Sequence, residues 1–275
     1  MKLGIPRGAV NADTVEEAAA KIADYGFQAV LHYQTVANDL PDVETCRRIR
    51  RAYAAAGLEF AHIGGYTNPI STDENLQRKS VEHLKGLCRL TGELGCNVIA
   101  TFSGTAVPVS ALQWNPDTHS QANYDLFKKN MEEVLVVAEA EGAIIAIEPF
   151  IVTVMKDVAT SEKLFHELNS PSFGLIMDVA NYFQPDEIDQ PRQNELMTEA
   201  FSRLRPWIRS IHSKDLAPQN GERPTPFMPA AGRGQMDYDC FSRLVRDSGF
   251  AGPLIVEHLT EPDIPEVRAY VKRFF

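Results

Sequence analysis

Cysteine is scarce in this 275-residue chain, and its spacing excludes two kinds of scaffold. Cys46, Cys88, Cys96 and Cys240 form no CxxC pair and no ladder of close thiols, so neither a zinc ribbon nor a disulfide framework is encoded. Reduced thiols in a cytoplasmic protein are the expectation. Positive charge is short as well. The 27 Lys and Arg stand against 37 Asp and Glu, a formal net charge of −10. Nucleic acids and anionic membranes are recognised through a positive field, so neither is expected as a partner. No apolar run approaches the roughly 20 residues of a membrane span, and no basic segment leads into an apolar stretch as in a secretory leader. A glycine-rich dinucleotide loop is missing too. The nearest piece, Gly232-Arg233-Gly234, follows a loop rather than a strand and has Asp237 where the third glycine belongs. With no internal repeat or linker, a single domain over residues 1–275 is expected.

What is present is alternation. Apolar strand candidates fall at Lys2–Pro6, Phe27–Tyr33, Leu58–Ile63, Cys96–Phe102, Ala143–Phe150, Phe173–Val179, Ile208–Ser213 and Gly252–His258. Amphipathic helical patterns separate them, at Val15–Tyr25, Val43–Ala56, Asn75–Leu94, Tyr124–Glu141, Ser161–Leu168, Gln193–Leu204, Tyr238–Ser248 and Ile264–Phe274. Asp13, Asp42 and Asp237 read as helix caps, and Gly26, Gly57, Gly95, Gly142 and Gly249 as helix stops. Strands alternating with helices predict a parallel sheet. Eight such units in a chain of this length predict the α/β class in its closed form, a (β/α)8 TIM barrel.

The chemistry lies at the strand ends. "AIIAIEPF" leads to Glu148, "FGLIMDVAN" to Asp178, "IRSIHSKD" to His212 and "GPLIVEHL" to Glu257. In a barrel, the carboxyl ends of the strands converge on one face, where active sites are built. Crowded there, these groups would repel or lose hydration unless a cation compensated them. Three carboxylates and an imidazole suit one divalent ion, with Mn²⁺, Mg²⁺ or Co²⁺ favoured and Zn²⁺ an alternative. Each residue alone has a plainer reading: Asp178 as a helix cap, Glu148 as a solvated loop acid, His212 as a satisfied hydrogen-bonder. Four successive strands ending alike is what carries the metal expectation.

From "AIIAIEP" onward the chain resembles the xylose-isomerase-like barrels, a family that includes sugar and sugar-phosphate isomerases and epimerases. The pieces "IEP", "MDVAN", "HSKD", "GRGQMDY" and "GFAGPLIVEH" follow in that family's order. The resemblance implies that Glu148, Asp178, His212 and Glu257 bind one metal, and that Glu148 and Glu257 also act as catalytic acid and base. One departure stands out. Ketose 3-epimerases of the family typically carry DxxH after the sixth strand, whereas this chain has Asp178 and Asn181. An amide can hydrogen-bond a substrate hydroxyl but cannot carry a proton near neutral pH. Asn181 is therefore expected to bind substrate.

Lys214 is two residues beyond His212, so strand periodicity points both inward. It is expected to hold a substrate oxygen or phosphate, with a salt bridge to Asp215 or another barrel-mouth acid as the alternative. His62 opens the glycine-rich "HIGGYTNP" loop and is a third substrate-binding candidate; His32 reads as a core histidine. Trp114, in the loop after strand four, would cover a sugar face or simply pack the loop. The Pro-, Gly- and Asn-rich stretch beyond His212 is expected to wall a substrate pocket, because loops that long are usually functional.

Together these readings predict a metal-dependent isomerase or epimerase of a small carbohydrate, working by proton abstraction and return through a metal-stabilised enediolate. A dehydratase or lyase acting on a ketosugar or ketocyclitol shares the abstraction step and is the alternative. An abasic-site endonuclease would need more histidine ligands and a basic groove; a non-catalytic sugar binder would bind without proton exchange. A homo-oligomer is left open.

Overall fold

The computed structural model describes residues 1–109, 112–219 and 225–275. Eight parallel strands close on themselves in chain order: β1 Leu3–Pro6, β2 Ala29–Tyr33, β3 Glu59–Gly64, β4 Val98–Phe102, β5 Ile144–Glu148, β6 Phe173–Met177, β7 Ile208–Ser213 and β8 Leu254–Val256. Pairing of Leu3 with Leu254 and Gly4 with Ile255 seals the barrel. The surrounding helices are α1 Val15–Asp24, α2 Val43–Ala55, α3 Glu74–Leu94, α4 Gln121–Glu141, α5 Val158–Leu168, α6 Gln190–Leu204, α7 Tyr238–Asp247 and α8 Ile264–Val271. This is the expected (β/α)8 barrel, with trimmed strand ends. Strand eight was expected over Gly252–His258 but stops at Val256, so Glu257 stands just past the strand. Strand five stops at Glu148, where Pro149 can donate no ladder bond. Thr14, not Asp13, caps α1, accepting from the Glu17 amide. Asp42 and Asp237 cap α2 and α7 as expected, and the five stop glycines all take positive φ.

The hydrophobic core divides as the barrel requires. A large shell lies between strands and helices, with Ile145, Ile147, Leu175 and Ile211 pointing outward. Inside the barrel pack small and branched residues, Ala29, Leu31, Ala61 and Ile255 in one group and Ala100, Ala146 and Ile176 in another. These fill the lower barrel, so the next inward positions emerge at the upper mouth.

Two strand irregularities decide which side chains emerge there. On β3, Val30 pairs with Phe60 but Leu31 pairs with His62, so Ala61 is an extra residue. On β7, Leu175 pairs with Ile208 but Ile176 pairs with Ser210, so Arg209 is the extra one. A bulge re-aims the residues that follow it. Here the two bulges turn His62 and His212 toward each other across the interior, their Nε2 atoms 3.1 Å apart.

Candidate metal and active site

Glu148, Asp178, His212 and Glu257 are all buried, and one ligand atom of each lies within 4.8 Å of the others. His212 Nδ1 is at the hub, 3.2 Å from Glu257 Oε2, 3.6 Å from Glu148 Oε2 and 3.8 Å from Asp178 Oδ2. Its Nε2 faces the Nε2 of His62, and the rings stack with centroids 5.0 Å apart. That contact leaves Nδ1 as the nitrogen for a ligand. His212 Nδ1 and both oxygens of Asp178 lack a hydrogen-bond partner. Buried polar atoms without partners are costly, and a cation among them would satisfy all three. The donor set, mostly carboxylate oxygen with one imidazole nitrogen, fits a hard-to-borderline divalent ion.

Lys214 Nζ is 2.7 Å from Asp178 Oδ2. The contact is a buried ion pair. Of the two sequence readings for Lys214, the structure displays the pair with a barrel-mouth acid. The partner is Asp178 rather than Asp215, and the ammonium still lines the central cavity. Asp215 instead organises the loop beyond β7, accepting from the amides of Leu216, Gly232 and Met236. Gly234 is required there: a Cβ at that position would stand 2.3 Å from the Leu216 carbonyl oxygen. "GRGQMDY" is thus a loop clasp, which explains why it reads poorly as a nucleotide loop.

Charge explains the proton positions. Burial of the His212 ring opposes its charge, but Glu257 and Glu148 outweigh that and raise its pKa to about 10. For Glu148, burial would raise the pKa, yet His212, Lys214 and Tyr66 hold it below the usual range. Glu257 is lowered in the same way, burial being outweighed chiefly by His212. Asp178 goes up, because burial and the neighbouring glutamates exceed the pull of Lys214 and His212. Burial and the adjacent His212 charge push His62 well below its ordinary value, so it is neutral.

Both oxygens of Glu148 are bound. Tyr66 donates its hydroxyl to Oε2 at 2.6 Å, and Asn181 donates its amide to Oε1 at 2.8 Å. Tyr66 escaped sequence reasoning, although it belongs to the glycine-rich loop already noted. Asn181 lines the cavity as a substrate-binding residue would, and also orients Glu148. His62, a substrate-binding candidate from the sequence, is fully buried behind His212 and is not among the described cavity-lining residues. His32 is structural as expected, its ring packed edge-on against Tyr53 and Phe60 outside the barrel.

The cavity above the cluster has a volume of about 450 Å³. Glu148, Asn181, Lys214 and Glu257 form its polar end. Met228, from the loop beyond β7, contributes part of its wall, as expected of that loop, whose residues 220–224 lie outside the described ones. His258 anchors Met228 by bonding its carbonyl through Nδ1, at a left-handed φ of 57°. A non-glycine residue in that region is strained and persists where structure over-determines it. Trp114 lines a separate cleft of about 710 Å³ with His119, Lys156 and Arg192. Larger volume does not make that cleft the reactive one, since none of the four clustered residues reaches it.

The model of the xylose isomerase-like TIM barrel family matches residues 19–274. The chain belongs to that family. Among solved structures, it resembles the 3-keto-D-glucoside 4-epimerase YcjR from E. coli, with a TM-score of 0.74 at 15% identity over 99% of each chain. The probable 3-DHS dehydratase AsbF from Bacillus anthracis superposes with a TM-score of 0.72 at 17% identity, over 99% of this chain and 98% of that one. A xylose isomerase domain protein from Planctomyces limnophilus gives 0.71 at 17% identity, over 99% and 94%. At such identities the likeness is one of fold. No curated protein matches the chain by sequence. Among the described residues, no helix of this xylose isomerase-like barrel is long and apolar enough to cross a membrane.

Proposed function

We propose that the protein is a divalent-metal-dependent isomerase or epimerase of a small hydroxycarbonyl carbohydrate, with Glu148 and Glu257 as its proton-transfer residues. The observation that carries this reading is the placement of both glutamates against one imidazole nitrogen at the floor of a cavity. Glu148, Asp178, His212 Nδ1 and Glu257 would hold the ion, which supplies positive charge to stabilise the anion formed when a carbon-bound proton leaves. Each glutamate follows or ends its own strand, β8 and β5, three strands apart in the barrel. They therefore reach a substrate from different sides, as removal and return of a proton require. Tyr66 and Asn181 fix the Glu148 carboxylate, limiting the rearrangement needed at reaction. Lys214 offers a cation to a substrate oxygen. The similarity in fold to a 3-keto-D-glucoside 4-epimerase, an L-ribulose 3-epimerase and a D-psicose 3-epimerase agrees with this reading. The negative net charge favours a small carbohydrate over nucleic acid.

Elimination of water from a ketosugar or ketocyclitol is the second reading. It is favoured by the Lys214 ammonium on the cavity wall, a proton donor that a departing hydroxyl would use. One experiment serves both. Ketoses and ketocyclitols are incubated with the enzyme and Mg²⁺ in D₂O and followed by NMR. Deuterium α to the carbonyl in substrate or isomer supports the first reading, and an unsaturated product the second. Glu148→Gln and Glu257→Gln should each lower turnover by roughly 10²–10⁴-fold, the range of general-base loss. Full turnover in both variants removes the glutamates from the mechanism.

A further inference from the structure

Among the described lining residues, charged groups gather at one end of the cavity. Tyr33, Tyr66 and Phe102 form a continuous aromatic wall, with ring centroids 5.9 Å apart for Tyr33 and Tyr66 and 4.6 Å for Tyr66 and Phe102. Leu112, Phe150 and Met228 add further apolar lining. The wall is held in place. The Tyr66 hydroxyl is anchored on Glu148, and Gly64 leaves room for the rings, since a Cβ there would stand 2.6 Å from Tyr33. Tyr33 lines the cavity with 38% of its surface exposed. Among the described lining residues outside that end, polar groups are few: Thr35, the Tyr33 hydroxyl and His258, whose Nδ1 is already committed to the Met228 carbonyl. An extended polyol would lose hydration along this wall with few partners to replace it. The volume of about 450 Å³ lies in the range of pockets for drug-sized ligands.

We infer that the substrate carries a flat apolar or aromatic group beside its hydroxycarbonyl head, with the head at Glu148 and Glu257 and the flat group against Tyr33, Tyr66 and Phe102. This rests on the proposed function for the position of the head. An aryl glycoside of a ketosugar or an aryl hydroxyketone belongs to the class. Stacking on aromatic side chains and burial of ring surface supply the selectivity.

Two probes isolate the flat group, because they share the head HOCH₂–C(=O)– and differ only in phenyl against methyl: 2-hydroxyacetophenone and hydroxyacetone. Their affinities for the Mg²⁺-saturated protein are measured by calorimetry, and α-proton exchange of each is followed in D₂O. The phenyl probe should bind about tenfold or more tightly, the order expected for burying one aromatic ring. In saturation-transfer NMR, its ring protons should receive the strongest signal. Phe102→Leu and, separately, Tyr33→Ala at the cavity edge should lower the phenyl-to-methyl affinity ratio at least threefold. Equal affinities for the two probes overturn the inference, as does a preference that survives both substitutions. Absence of proton exchange from either probe, with the affinity ratio intact, counts against the proposed chemistry and leaves the flat-group inference standing.

Discussion

Replacing Lys214 with methionine removes a charge from the barrel mouth while keeping an unbranched side chain one atom shorter. The Lys214 and Asp178 side chains are 4% and 1% exposed, so water does little to screen their pairing. Removing one member of a buried pair strands the other, at a cost of about 3–5 kcal/mol. His212 Nδ1 remains 3.8 Å from Asp178 Oδ2 and supplies part of the missing charge, which favours the lower figure. For a chain of this size, about 3 kcal/mol corresponds to a melting temperature lowered by roughly 6–12 °C. The assay is scanning calorimetry of wild type and Lys214→Met in EDTA, then in saturating Mn²⁺. A cation bound by Asp178 takes over the compensating role, so Mn²⁺ should shrink the deficit by at least half and bind the variant more tightly than wild type. The Lys214 pKa is raised: burial lowers it, but Asp178, Glu257 and Glu148 outweigh that. Its contribution is therefore complete below the unfolded value and is lost only as pH rises through the higher folded one. The deficit in EDTA should be level between about pH 6 and pH 9. A deficit below about 2 °C in EDTA, or one that Mn²⁺ leaves untouched, refutes the reasoning.

Metal uptake should release protons. His212 can ligate through Nδ1 only when that nitrogen is unprotonated, and its pKa near 10 keeps it charged at neutral pH. Mn²⁺ titrations at pH 7.5 in buffers of different ionisation enthalpy should report about one proton released, with affinity falling as pH falls; a buffer-independent heat contradicts this. Gly234→Ala places a methyl 2.3 Å from the Leu216 carbonyl oxygen and 2.5 Å from Asp215 Oδ1. Overpacking against backbone should cost about 1–3 kcal/mol, read by chemical denaturation, and should raise KM because the displaced loop carries Met228. Unchanged stability would mean that the clasp is not rigid.

The barrel and its four clustered residues were readable because both follow from periodicity. Apolar runs broken by amphipathic ones fix the order of strands and helices, and the topology then brings successive strand ends together wherever the chain places Glu148, Asp178, His212 and Glu257. Features that depend on three-dimensional irregularity were not readable. Nothing in "EFAHIG" announces that Ala61 is bulged, and that one extra residue turns His62 behind His212 instead of into the pocket. Tyr66 gives no local signal of its role, since its bond to Glu148 spans 82 positions in sequence. Lys214 was left between two roles because its distance to Asp178 is a property of neighbouring strands, not of either segment alone. Trp114 had an indole suited to a sugar, but it lines the neighbouring cleft. Thr14 displaced Asp13 as a cap because either residue type can accept the helix amides, and only the local backbone chooses between them.

Anomalous diffraction from crystals soaked in Mn²⁺ would show whether the four strand-end residues form one divalent metal centre. A single strong anomalous peak is expected, bonded to carboxylate oxygens of Glu148, Asp178 and Glu257 and to Nδ1 of His212, with Nε2 of that ring still facing His62. Lys214 should lie outside the coordination sphere, its Nζ moved off the Asp178 oxygen it now contacts. No peak at saturating Mn²⁺, or a manganese bound elsewhere while His212 Nδ1 turns away from the carboxylates, would contradict such a centre.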